Sequence, residues 1–118
     1  MLGLCLIIAA SLLASLTLPA RAQDGFSVTY EVDQSTTGRV QLTGQVVNGR
    51  GDDVFDVYVT AEALDRKGRM VASGIAYVEG RINRGDSRPF VVVVPAVAGA
   101  SRYRVSVTSF RSMGMQAP

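Results

Sequence analysis

Valine constrains this chain more than any other residue. Seventeen valines fall in residues 23–118, and they recur at alternate positions. A β-branched side chain packs well on a pleated sheet and loses rotamer freedom in a helix. No segment carries an apolar i, i+3, i+4, i+7 pattern, so the residues after 22 read as strands.

Six strands follow from the alternation. The first is expected over 26–32, with Phe26, Val28, Tyr30 and Val32 on one face. The second covers 39–47, with Val40, Leu42 and Val46 facing one way. The third covers 54–64, where Phe55, Val57, Val59, Ala61 and Ala63 alternate with Asp56, Tyr58, Thr60 and Glu62. Asp65-Arg66-Lys67-Gly68 forms a hairpin turn into a fourth strand at 69–78, with Gly68 as the left-handed residue. The pattern leaves both faces of that strand open as the core face. A fifth strand covers 89–94, and its valine run predicts burial on both sides. The sixth covers 102–110, with Tyr103, Val105 and Val107 on one face. Short strands separated by turns, with no helix, predict an all-β chain folded as an antiparallel sandwich of six to seven strands over 23–112. A barrel is the alternative. Residues 113–118 read as a flexible tail.

The first 18 residues carry no charged side chain. Residues 4–18 are apolar and end at Pro19, and Ala20-Arg21-Ala22 matches a small-x-small cleavage site. Residues 1–22 therefore read as a signal peptide, with a periplasmic or secreted product starting at Gln23. The rival reading is an uncleaved membrane anchor, for which the stretch is at the short limit. Cys5 precedes most of the apolar run, which disfavours a lipidated cysteine. It is also the chain's single cysteine, so no disulfide supports the domain.

The chain has no histidine. That removes the commonest general base and metal ligand. No G-x-S-x-G or S-x-x-K motif supplies a nucleophile, so an enzyme is not expected. Glu62 and Asp65 are expected to pair with Arg66, Lys67 and Arg69 across strands. Asn48, Asp52, Asp53 and Asp56 offer oxygens for Ca²⁺, but a calcium loop spacing is missing and Arg50 intrudes. Met113, Met115 and Met70 offer soft Cu(I) ligands, too few for a usual copper site. No cofactor follows from the residues. Arg84-Gly85-Asp86-Ser87 spells an integrin-binding peptide, yet tight-turn chemistry alone accounts for it.

Charge divides unevenly. Residues 23–65 hold eight acids and two bases, and residues 66–118 hold two acids and nine bases. A meander would polarise the molecule, so that one face could meet an acidic partner or anionic lipid headgroups, whereas a Greek key would interleave the halves. Nucleic acid is a poor partner for a chain this close to neutral. The expected function is non-catalytic binding or structure in the cell envelope, with another envelope protein as the partner. Asn48, Arg50, Asp52, Asp53, Arg66, Lys67, Arg69 and Arg84 are the candidate contacts. A metal-binding accessory protein is the alternative.

Several segments resemble the FxLYD family of bacterial extracytoplasmic domains. They are Gly44-Gln45-Val46-Val47-Asn48, Leu64-Asp65-Arg66-Lys67-Gly68-Arg69-Met70-Val71, Ile82-Asn83-Arg84-Gly85-Asp86-Ser87-Arg88-Pro89-Phe90 and Tyr103-Arg104-Val105-Ser106-Val107. At the naming motif this chain has Ala61-Glu62-Ala63-Leu64-Asp65. The resemblance implies an immunoglobulin-like fold and no catalytic residues. Tyr103 also resembles a tyrosine corner, whose hydroxyl bonds an upstream backbone group.

Overall fold

The computed structural model describes residues 18–19 and 25–112. It contains seven strands: β1 (Leu18–Pro19), β2 (Phe26–Thr36), β3 (Arg39–Asn48), β4 (Val54–Leu64), β5 (Met70–Val78), β6 (Ser87–Pro95) and β7 (Arg102–Ser112). They form two antiparallel sheets, ordered β1-β2-β3-β6 and β5-β4-β7, with no helix among the described residues. The chain crosses between sheets after β3, β5 and β6. Consequently β3 lies beside β6 and β4 beside β7, so strands distant in sequence are neighbours in the sandwich. The signal-peptide reading and the tail at 113–118 lie outside the described residues, apart from Leu18 and Pro19.

The core is the alternating set that faces between the sheets. Phe26, Val28, Tyr30, Leu42, Val46, Val57, Val59, Ala61, Phe90, Val92, Val94, Val105 and Val107 are all buried there. On β5 the inward face is Ala72, Gly74, Ala76 and Val78, while Ser73, Ile75 and Tyr77 face outward. Small residues line this face because β5 passes close to β6. A Cβ placed on Gly74 would lie 2.0 Å from the Val93 carbonyl oxygen.

Three expectations need correction. Val91 and Val93 are exposed, so β6 is buried on one side only. The strand sits at the end of its sheet, and no layer covers its outer face. Val32 is also exposed, and a bulge between Val32 and Gln34 interrupts its pairing. In β4 the alternation breaks at Asp56, which adopts φ 52°. The register against β7 jumps from Phe55↔Arg111 to Tyr58↔Ser109. Val54 and Val57 are therefore both buried, and Phe55 is only half-buried.

The hairpin forms as its sequence implies. Gly68 has φ 82°, and the Asp65 carboxylate accepts from the backbone N–H of Lys67 and Arg69, each at 2.9 Å. Gly85 likewise takes φ 79° in the Arg84-Gly85-Asp86 turn. That turn leads directly into β6.

Candidate functional site

The candidate contacts separate to opposite ends of the sandwich. Asn48, Arg50, Asp52, Asp53 and Arg84 gather at one end, where residues 49–53 and 79–86 link the sheets. Arg66, Lys67 and Arg69 lie at the other, on the β4–β5 hairpin. Strand direction alone forces this separation, because β4 runs the full length of its sheet between the two groups.

At the first end Asn48 is fully buried and fully used. Its side-chain amide donates to the carbonyls of Asp52 and Ile82, both at 2.9 Å, and its oxygen accepts from the Arg50 N–H. Its backbone N–H donates to Asp86, and its carbonyl accepts from Gly85. One residue therefore ties two loops together. Arg50 pairs with Asp52 at 2.9 Å and stacks 4.8 Å above the Phe110 ring. Phe110 in turn meets Phe26 edge to face at 4.9 Å. The Arg50 bond, followed by one from Ser112, holds the Asp52 carboxyl below its ordinary range. Asp53 accepts from the Arg84 N–H. Asp56 accepts from the Tyr77 hydroxyl, which pushes that phenol's pKa up.

These carboxylates point to separate partners. Among the described residues no three acidic side chains converge on a point that could hold a metal ion. The Asp loop thus does not assemble the calcium cage its composition suggested. Met113 and Met115 lie outside the described residues. A shallow hollow of about 310 Å³ over Gly44 is bordered by Thr29, Glu31, Thr43, Gln45, Pro89 and Val91. Glu31 is its one ionisable group, so it offers no acid–base pair.

The hairpin end differs in kind. Arg66, Lys67 and Arg69 are exposed, and Arg102 joins them because β7 starts beside the end of β4. The Arg102 guanidinium lies over Gly68, within 3.4 Å of where a Cβ would stand. Arg39, at the start of β3, is exposed at the same end. The local carboxylates are Asp65 and Asp33. Asp65 is occupied by Arg69 at 3.1 Å and by backbone N–H groups, the Arg69 amide first, which lower its pKa. Asp33 accepts from Gln41. Glu62 pairs with Arg104 on β7 at 2.6 Å rather than with the hairpin, which corrects the expected cross-strand pairing.

Interleaving dissolves the charge split between the two halves of the sequence. Acidic β4 sits between β5 and β7, and β6 lies against β3. A split by ends replaces it. At the Asn48 end, Arg50, Arg81, Arg84, Arg88 and Arg111 face Asp52, Asp53, Asp56, Glu79 and Asp86. At the hairpin end cations outnumber carboxylates. Arg39 and Arg102 escaped the sequence reading because only long-range pairing brings them to the hairpin.

Among the described residues the Tyr103 hydroxyl makes no corner-type bond to an upstream backbone group. The long-range hydroxyl bond belongs to Tyr30, which donates across the sheets to the Tyr103 carbonyl at 2.9 Å. No family model, no curated protein and no solved structure matches the chain.

Proposed function

We propose that this chain is a non-catalytic binding or structural module of the cell envelope, exported to the periplasm or beyond. The hairpin end is its contact surface. The carrying observation is the contrast between the two ends. Asn48 ties the loops at its end together and the cations there are matched in number by carboxylates, whereas at the hairpin end the nearby carboxylates among the described residues, Asp65 and Asp33, are already bonded and Arg66, Lys67 and Arg102 stand exposed. Cations fixed on strand ends can attract and orient an acidic partner with little ordering cost. The segment 1–22, with its Ala20-Arg21-Ala22 site, supports export, and the resemblance to FxLYD domains supports the same compartment.

The test is fractionation of cells that make the full chain. The chain is expected in the envelope fraction, released by salt as a charge-driven contact requires. Arg66→Glu/Lys67→Glu/Arg102→Glu should release it at low salt, and Arg81→Glu/Arg84→Glu/Arg88→Glu should not. A chain found in the cytoplasm, or equally affected by both variants, would reject this reading.

A further inference from the structure

The hairpin end carries a second property besides its charge. Residues 95–100, Pro-Ala-Val-Ala-Gly-Ala, connect β6 to β7 at that end and contain no charged or hydrogen-bonding side chain. Residues 95–99 are exposed, Val97 at 37%. The loop is nonetheless rigidly placed. The Ala96 N–H donates to the Gly38 carbonyl at 3.0 Å, the Ala100 N–H to Val97 at 3.2 Å, and the Ser101 N–H to Leu64 at 2.7 Å. Ala100 packs against the core. Met70, at the base of the hairpin, is 56% exposed. A firmly held apolar loop is thus set beside exposed guanidinium and ammonium groups. Among the described residues the Asn48 end has no counterpart, since its loops 49–53 and 79–86 are polar and its charges balanced.

Apolar tips flanked by cations match one kind of partner better than another. A soluble acidic protein would satisfy the charges but would need an apolar patch of its own, set beside its carboxylates, to cover the loop. An anionic bilayer satisfies both, with phosphates at the surface and acyl chains just beneath.

We propose that the hairpin end docks on anionic lipid headgroups. Arg66, Lys67, Arg69 and Arg102 lie at the phosphate level, and the tip around Val97 enters the interface. The inference rests on the binding-module reading and names its partner.

The chain lacks tryptophan, so one introduced indole reports its own surroundings. Full-chain Val97→Trp should shift to shorter wavelength on phosphatidylcholine vesicles containing about one-third phosphatidylglycerol, an anionic surface that attracts such cations. Asn83→Trp, at the far end, should not shift. Arg66→Glu/Lys67→Glu/Arg102→Glu, checked for an unchanged melting temperature, should weaken binding to these vesicles at least about tenfold. No shift at Val97→Trp, an equal shift at Asn83→Trp, or undiminished binding by the reversal variant would each overturn the lipid assignment. If these fail while the chain still fractionates with the envelope through the same cations, the module reading stands and an acidic protein is the partner.

Discussion

The Tyr30 hydroxyl donates to the Tyr103 carbonyl at 2.9 Å, joining two strands that belong to different sheets. Sandwich sheets are held together chiefly by non-directional packing, so a hydrogen bond between them also fixes how they lie on each other. Tyr30 is buried, and burial raises its phenol pKa. The ring fills core while the hydroxyl closes the gap.

Tyr30→Phe keeps the ring and leaves the Tyr103 carbonyl without its donor. The expected cost is about 1 kcal/mol, or a melting temperature lower by about 4–8 °C for a domain of this size. Tyr103→Phe should leave stability nearly unchanged, because only the Tyr103 backbone takes part. Thermal unfolding of the two variants checks this, and the reverse order of effects would restore the corner-tyrosine reading.

Asn48 carries more. Asn48→Ala strands two carbonyls and one N–H in a buried site and opens a small cavity. A loss of about 3 kcal/mol is expected from such a removal. Urea unfolding should show it as a lower midpoint with an unchanged slope. Asp53→Ala, which removes one exposed acceptor, should cost well under half as much.

The acid response follows from Asp65 and Asp52. Both carboxyls are held below their ordinary value of 3.8, Asp65 first by the Arg69 N–H and Asp52 first by the Arg50 side chain. A carboxyl depressed in the folded state contributes stability above its unfolded pKa. That contribution is lost as the pH falls through the folded pKa. Asp65→Asn should therefore be less stable than wild type at neutral pH, with the gap closing below pH 3.8. Urea midpoints measured at neutral and acid pH check the sign. A gap that stays constant with pH would show that the charge contributes nothing.

Much of the fold was legible because alternation and turn chemistry are local. Val57, Val59, Val105 and Val107 declare their face within a few residues, and Gly68 marks its turn alone. The misreadings occur where position in the sheet decides. A valine run such as Val91–Val94 reads alike in a central strand and at a sheet's end. Asp56 breaks the β4 alternation through a left-handed backbone that its own neighbours do not demand. The candidate site was half legible. Arg66, Lys67 and Arg69 stand together in sequence, but Arg39, Arg102 and residues 95–100 reach them only through strand pairing. An apolar loop of small residues between two strands was the one local sign of the surface around Val97.

The central claim is that one end of the sandwich makes contact and the other holds the sheets together. Peptide-resolved hydrogen exchange of the full chain, with and without native envelope membranes, tests it most directly. Protection gained on binding should fall on 65–69 and 95–101, with 49–53 and 79–86 unchanged. Protection appearing at 49–53 and 79–86 while the hairpin stays open would contradict the account.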